Sequence, residues 1–403
     1  MARLVHSTLL KLNAEGALAP DLAAVVPEVE AGGRLFRFHL KPGLRFQDGT
    51  AIAAQDVVES LTRLADPSLG SPYAALALPL VGAIDGGRIS GLAATGELDV
   101  QASLAFAYPD WLRGLAHPAA APLPGGKAGL TLAGAGPMLM GGALGAGEAR
   151  LSAYADCSEG RPFVDSLRLT VADARGASRA LTLGEADAVL GAIDKRAVEG
   201  PALFATYLAF NSARLGPHAA LVRQALEASV DVTELARFFV RGAVPMAGLL
   251  PPALEPSGAT QPQPARPTLP KGLQLVLLVD ATADDQRAVA ERLQVKLHDF
   301  GVSVQLKRLA KPEYRQALAT AGYDLALIAV AALPEPGLAL AQLVLLSQGR
   351  DAARELLRTV GAGADPSARR QIALAQSTLW RGRLALMPLY AQVPRVLLRA
   401  GVA

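Results

Sequence analysis

A proline-dense segment interrupts the chain at about two thirds of its length. Seven of the twenty residues from Pro251 to Pro270 are proline. Proline fixes φ and has no backbone N–H, so this many prolines exclude a regular helix or a central strand. Such a segment is typical of a connection between domains. We therefore predict a domain boundary between residues 255 and 265.

The composition excludes several classes of protein. With 403 residues, of which 51% are hydrophobic, the chain has enough apolar material for two or three domains. Only 19% of residues are charged and the net charge is +3, which gives nucleic-acid binding little electrostatic support. Cys157 is the single cysteine and the five histidines are scattered, so we expect no internal disulfide and no metal site.

No segment has the pattern of a membrane span. Residues 128–147 carry no charge, but seven glycines and Pro137 favour a loop or strand over a helix. The first ten residues lack a long apolar core, so a signal peptide is either absent or has been removed.

The segment before the prolines mixes strand and helix patterns. Residues 35–40 alternate apolar and polar side chains, which predicts a half-buried strand. After the turn at Asp48-Gly49-Thr50, the spacing of apolar residues predicts a helix over 53–64 and another over 220–239.

Beyond the prolines the pattern changes to alternating strands and helices. We predict strand 273–279, helix 284–300 and strand 302–306, then helix 312–321, strand 323–330 and a helix over 337–346. Thr282 and Asp285 have the spacing to cap the first of these helices. A helix over 367–380 and a strand over 386–390 complete the chain. The sequence therefore predicts an α/β domain with a mainly parallel sheet.

Enzyme signatures are missing from the sequence. There is no GxxxxGK[ST], HExxH or GxSxG motif, and no glycine fingerprint for a dinucleotide. A lone cysteine without a catalytic motif is far more often inert, and His39 within a strand is more often structural. We expect no catalytic residues and no cofactor.

A set of segments, in order along the chain, carries a family resemblance. The run from Leu35 to Thr50, LFRFHLKPGLRFQDGT, resembles the signature of the family 5 extracellular solute-binding proteins, which serve oligopeptide, dipeptide and nickel ABC importers. Further matching segments are Leu64–Pro67, Ser71–Ala74, Gly134–Pro137, Gly160–Asp165, Leu208–Asn211, Val222–Leu226, Val230–Asp231, Tyr323–Leu325 and Met387–Tyr390. The resemblance covers nearly the whole chain.

The resemblance implies a two-lobed, periplasmic binding protein-like α/β fold with an extra subdomain in the first lobe, closing on its ligand by hinge motion. With the proline break, it predicts lobe I at 1–255, including a subdomain at about 41–130, lobe II at 265–380, and a return of 381–403 to lobe I. It also implies a periplasmic or otherwise extracytoplasmic location, a peptide-like or small-molecule ligand and an ABC importer permease as partner. Nucleic acid and a direct membrane span are not expected.

The ligand site departs from the family pattern. Peptide-binding members carry a tryptophan and then an aspartate that holds the peptide ammonium, and these positions fall here on Ala329 and Ala332. A buried ammonium without a carboxylate or aromatic wall is unfavourable, so we expect simple peptides to bind weakly. The candidate ligand contacts are Tyr73, Ala331, Ala332 and Glu335. The structural alternatives are a packing role for Tyr73 and a solvated turn for Glu335.

Two functions remain open from the sequence. The first is the solute-binding component of an ABC importer. The alternative is a degenerate module of the same scaffold, used for protein interaction or sensing without transport, because the ammonium anchor and aromatic wall are missing.

Overall fold

The structure is a computed structural model that describes residues 2–82, 89–126, 133–141, 147–256 and 264–402. Its strands, in chain order, are β1 Leu10–Leu12, β2 Leu18–Pro20, β3 Leu35–His39, β4 Leu92–Ala94, β5 Asp99–Ser103, β6 Met138–Met140, β7 Glu148–Ala153, β8 Ser166–Thr170, β9 Ala188–Leu190, β10 Val198–Glu199, β11 Phe204–Phe210, β12 Ala243–Pro245, β13 Gln274–Asp280, β14 Ser303–Leu309, β15 Leu325–Ala331, β16 Leu386–Gln392 and β17 Arg395–Leu398. Its α-helices are α1 Ala2–Val5, α2 Ala54–Leu64, α3 Trp111–Gly114, α4 Ala174–Leu183, α5 Ser212–Leu215, α6 Ala219–Ser229, α7 Val232–Glu234, α8 Asp284–His298, α9 Lys311–Ala319, α10 Pro336–Gln348, α11 Arg350–Gly361 and α12 Pro366–Arg381. The mixed α/β class is as predicted.

The chain forms two compact units whose boundaries differ from the predicted ones. The first unit comprises the residues up to Ala172 together with Leu333–Leu374, and the second comprises Asp173–Ala332 together with the residues from Ala375 onward. The predicted lobes 1–255, 265–380 and 381–403 are therefore corrected. The predicted subdomain at 41–130 falls within the first unit.

Strand pairing explains this correction. β11, in the predicted first lobe, pairs along all seven of its residues with β15, in the predicted second lobe. Because β11 and β15 are hydrogen-bonded neighbours in one sheet, they belong to the same compact unit. The described parts of the proline-dense segment, residues 251–256 and 264–270, belong to the second unit. Prolines interrupt regular structure without determining which unit the chain enters next.

The main sheet of the second unit has six strands in the order β12-β16-β11-β15-β13-β14. β13 runs parallel to β14 and to β15, as the βαβ pattern predicted. β11, however, is antiparallel to both β15 and β16, and β12 is antiparallel to β16. The sheet is therefore mixed, and the prediction of a mainly parallel sheet holds only for its β14-β13-β15 half.

The helix predicted over 220–239 is broken into shorter pieces. α6 ends at Ser229, Val230 has extended backbone, and the Asp231 side chain accepts hydrogen bonds from the N–H groups of Thr233 and Glu234. An aspartate that bonds its own following backbone competes with the helix and starts a new one. A π-helical turn over Leu235–Phe239 follows α7.

In its described residues the first unit has three small antiparallel sheets, β1-β2, β3-β5-β4 and β6-β7-β8. The Trp111 ring lies 5.7 Å from that of Phe36 and 6.4 Å from that of Phe38, which β3 points inward. The Trp111 indole N–H donates to the Leu76 carbonyl at 2.8 Å, so its one polar atom is satisfied.

α10 is the most buried helix of the first unit. Its sequence, PGLALAQLVLLSQ, carries no charge, and every residue from Pro336 to Val344 is buried. A helix that is apolar on all sides has to be enclosed by its own domain. Its N-terminal N–H groups are therefore removed from water and need partners within the unit.

Glu335 supplies those partners. Its carboxylate accepts from the backbone N–H of Gly337 at 2.9 Å and of Leu338 at 2.7 Å, and from the Tyr108 hydroxyl at 2.7 Å. Glu335 is 3% exposed and Tyr108 is fully buried. Burial raises the pKa of Glu335, and the three hydrogen bonds oppose that rise. A Cβ at position 337 would overlap the Tyr108 hydroxyl, so this arrangement requires glycine there.

We predict that Glu335→Ala destabilises the protein by about 2–4 kcal/mol. The change removes a helix cap, which is worth about 0.5–2 kcal/mol, and leaves the Tyr108 hydroxyl buried without an acceptor, which costs about 1–3 kcal/mol. Urea unfolding followed by circular dichroism measures the change. Glu355→Ala is the control, because Glu355 is exposed on α11 and its side chain pairs, among the described residues, only with Arg358. We expect a change within about 0.5 kcal/mol. Equal effects of the two variants would contradict the capping role.

Candidate functional site

The structure places the four predicted contacts in two groups. Tyr73 and Glu335 belong to the first unit, and Ala331 and Ala332 belong to the second. Glu335 is the buried cap of α10 and not the solvated turn residue of the structural alternative, because donors of its own unit bond to both carboxylate oxygens. Its role as a ligand contact stays a prediction.

Tyr73 has a packing partner in its own unit. It lies in the 3₁₀ turn Pro72–Leu76, and its ring stacks on that of His117 with centroids 4.8 Å apart. Burial raises the pKa of the Tyr73 phenol. This contact favours the packing role, and the ligand role of Tyr73 stays a prediction.

His117 is held in its neutral form beneath this ring. Its Nδ1 accepts a hydrogen bond from the Ala119 N–H at 3.1 Å. Burial lowers the pKa of His117 to about 4, and the charge of Arg3 is a smaller cause. Protonation would remove the acceptor and place a cation in a desolvated position.

We predict that His117 makes the protein less stable in acid. An unfolded histidine has a pKa of about 6.5, so between that value and about 4 the unfolded chain binds more protons than the folded one. The unfolding free energy therefore falls as the pH drops through this window, by about 1–2 kcal/mol at pH 5 relative to pH 7. His117→Asn keeps an acceptor without this titration, and urea unfolding at both pH values should show a smaller loss. Parallel losses in the two proteins would contradict this assignment.

Ala331 and Ala332 lie where β15 ends. Ala331 is opposite Phe204 of β11, and the Ala332 N–H donates to the Leu203 carbonyl at 2.8 Å. Their side chains bring only methyl groups to this edge of the sheet. Ala329, two residues before Ala331 on the strand, is exposed.

This edge is the carboxyl end of four strands. β13, β14, β15 and β16 run in one direction, so Asp280, Leu309, Ala331 and Gln392 end at the same edge, where the antiparallel β11 and β12 begin. Open α/β sheets bind ligands at the carboxyl ends of their parallel strands. The residues at this edge of the second unit therefore form the candidate site.

Polar side chains from α8 and β16 meet at this edge, around the carboxylate of Asp285. Its Oδ2 accepts hydrogen bonds from the Tyr390 hydroxyl and from the Gln392 side-chain amide, both at 2.9 Å. Burial, and secondarily the Asp285 charge, raises the pKa of the Tyr390 phenol, so that phenol remains a donor. Within the described part of the chain, Oδ1 of Asp285 has no hydrogen bond, and the residue is half-buried. The arrangement holds a carboxylate in place with one oxygen available.

Sequence reasoning gave Asp285 a different role. The spacing of Thr282 and Asp285 predicted a capping pair, but the N-cap of α8 is Ala283, without a side-chain cap. The Thr282 hydroxyl and N–H both bond to Asp280 Oδ1, at 2.6 and 2.9 Å. The sequence signal for the site was a carboxylate just after the first strand of a βαβ unit. Tyr390 and Gln392, which bond to it, lie 105 and 107 residues later, and no local pattern in the sequence connects them with Asp285.

Among the described residues, no three His, Cys, Asp or Glu side chains are grouped so that they could hold a metal ion. No helix in the described ranges is both long and apolar enough to cross a membrane.

Comparisons with known proteins agree with this fold. Residues 17–351 match the family described as bacterial extracellular solute-binding proteins, family 5 Middle. The periplasmic oligopeptide-binding protein OppA of Salmonella typhimurium is 31% identical over 133 residues, which is 31% of this chain and 24% of that protein. The chain thus matches about a quarter of the length of this curated relative.

Solved structures resemble the chain over nearly its whole length. Haemophilus influenzae OppA in complex with RPPGFSPFR has a TM-score of 0.77 and 16% identity, over 99% of this chain and 89% of that one. The binding protein AgaA of A. tumefaciens R10, in complex with agropinic acid, has a TM-score of 0.72 and 19% identity, over 99% and 88%. At these identities the likeness establishes a periplasmic binding protein-like α/β fold. Because the family match spans most of the sequence, the chain belongs to the family 5 bacterial extracellular solute-binding proteins.

Proposed function

We propose that this protein is the extracytoplasmic solute-binding component of an ABC importer. The observation that carries the proposal is the family match over residues 17–351. Proteins of this family are solute-binding proteins of ABC importers, and the OppA relatives are periplasmic by name. The family implies an importer permease as partner and an extracytoplasmic location. Binding without chemistry is also consistent with a site that consists of hydrogen-bonding groups.

We propose further that the ligand carries a protonated amine or a guanidinium group. Asp285 offers one carboxylate oxygen, while Tyr390 and Gln392 fix the other and hold the side chain in one rotamer. A charge-assisted hydrogen bond to a preorganised carboxylate is about twice as strong as a neutral one. No ordering of Asp285 is then needed when the ligand binds.

The ligand is not expected to be a simple peptide anchored at residue 332. Ala332 is buried and has no carboxylate, whereas Asp285 reaches the edge from α8 and lies beside β16. Solved relatives of this fold include a complex with a peptide and a complex with agropinic acid, so the scaffold is compatible with non-peptide ligands. The cation proposed for Asp285 is therefore one other than the α-ammonium of a peptide. Trialanine, which has only an α-ammonium, should raise the melting temperature little at millimolar concentration.

Asp285→Asn should weaken binding of the cationic ligand about 10- to 100-fold, which corresponds to the roughly 1.5–3 kcal/mol of a charged hydrogen bond. Asparagine keeps an acceptor for Tyr390 and Gln392, so the melting temperature of the ligand-free protein should change little. The probes are lysine and norleucine, free and as tripeptides, because norleucine has the shape and the α-ammonium of lysine but lacks its side-chain ε-ammonium. Thermal shift and calorimetry measure the affinities.

Asp284→Asn is the matched control, since Asp284 is the exposed neighbour of Asp285 and the charge change is the same. Mass spectrometry of material released by denaturing the purified protein identifies any solute that co-purifies. A co-purified neutral or anionic solute would overturn the ligand class but support solute binding. Absence of any bound solute and of any shift, with lysine or with a broad solute library, would favour the alternative of a module without transport.

A further inference from the structure

A cavity of about 340 Å³ lies within the first unit, in a part of the chain that the proposed function does not use. Two segments line it, Lys41–Arg45 after β3 and Asp156–Ser158 after β7. Its volume is at the lower end of the range for small-molecule sites, about 300–1,000 Å³. Its walls are mainly polar, so an apolar occupant would leave hydrogen-bonding groups unsatisfied.

Two cations face this cavity without a charged partner. Lys41 is half-buried and Arg45 is exposed; Arg45 donates one hydrogen bond, to the Gly49 carbonyl at 2.8 Å. In the ranges that the structure describes, neither side chain forms an ion pair. The one acid of the lining, Asp156, lies on the other segment. The lining therefore has a net positive charge.

The walls are held by contacts outside the cavity. The Tyr154 hydroxyl lies 3.2 Å from the Arg45 carbonyl and 2.9 Å from the Phe46 carbonyl, which ties the two segments together. The Ser158 hydroxyl donates to Asp21 at 2.9 Å. Because both segments are anchored, a ligand would meet a preformed site and would have little backbone to order.

We propose that this cavity is a second ligand site, for a small polar solute that carries a carboxylate or phosphate group. Lys41 and Arg45 would bind its oxyanion, since a guanidinium and an ammonium are the side chains that pair with carboxylate and phosphate. The site is independent of the Asp285 edge, which lies in the other unit and presents the opposite charge. The proposals for the two sites can therefore be tested separately.

The single cysteine gives a direct readout of this cavity. Cys157 is part of the lining, and no other thiol exists in the chain. A solute in the cavity would hinder access to the thiol, and its negative charge would disfavour the reactive thiolate. We expect citrate, and more weakly inorganic phosphate, to slow alkylation of Cys157 by iodoacetamide about threefold or more at constant ionic strength. The rate of glutathione alkylation under the same conditions corrects for effects on the reagent.

Charge variants identify the groups that bind. Lys41→Gln and Arg45→Gln should each weaken citrate binding about tenfold, as measured by calorimetry and by loss of protection. Asp156→Asn should strengthen it a few-fold, because it removes a like charge. Arg34→Gln is the control, since Arg34 is exposed in the same unit and lies outside the lining.

The outcomes are distinguishable. The Lys41 side chain makes no hydrogen bond within the described residues, so Lys41→Gln tests the site even if Arg45→Gln is unstable. Unchanged alkylation and no heat with either anion would overturn the proposal. So would equal losses in Lys41→Gln and Arg34→Gln, because binding would then reflect net charge alone.

Discussion

β11 is hydrogen-bonded along its length to two strands from much later in the chain. Phe204–Phe210 pairs with β15 on one side and with β16 on the other, across sequence separations of more than a hundred residues. Ala205, Tyr207 and Leu208 are almost completely buried. Closing such long loops costs entropy that only full pairing and burial offset. The second unit therefore depends on this strand, and so does the edge of the sheet where its polar groups meet.

The same pairing explains why Asp285 and Gln392 are neighbours. α8 follows β13 directly, which brings Asp285 to the carboxyl edge, while β16 delivers Tyr390 and Gln392 there from the end of the chain. Hydrogen bonds from both residues to one carboxylate oxygen set its orientation. A carboxylate held in this way loses little side-chain entropy when a ligand binds to it.

In the first unit a buried carboxylate, that of Glu335, caps a helix. α10 is apolar on every side, so its end cannot rely on water, and Glu335 with Tyr108 satisfies it internally. Close by, Arg369 forms a two-fold hydrogen bond with Asp110, at 2.5 and 3.1 Å, and both partners are largely buried. Buried charges persist where geometry and hydrogen bonds compensate for lost hydration. Glu335 and Asp285 thus differ. Both carboxylate oxygens of Glu335 accept hydrogen bonds within its own unit, whereas among the described residues only Oδ2 of Asp285 does.

Local pattern by itself determined much of this protein. The element types followed from three local patterns: the alternation at 35–40, the apolar spacing at 53–64 and the βαβ series from β13 to β15. Those periodicities arise from the geometry of strands and helices. The linked motifs from Leu35 onward also identified the family, and the family match covers residues 17–351. Only the tertiary structure decided that β11 and β12 share a sheet with β13 to β15. It also decided that Glu335 is a buried helix cap and that Asp285 contacts Tyr390 and Gln392. Those outcomes depend on which distant segments become neighbours, and contacts between residues far apart in the chain leave no local periodicity in a single sequence.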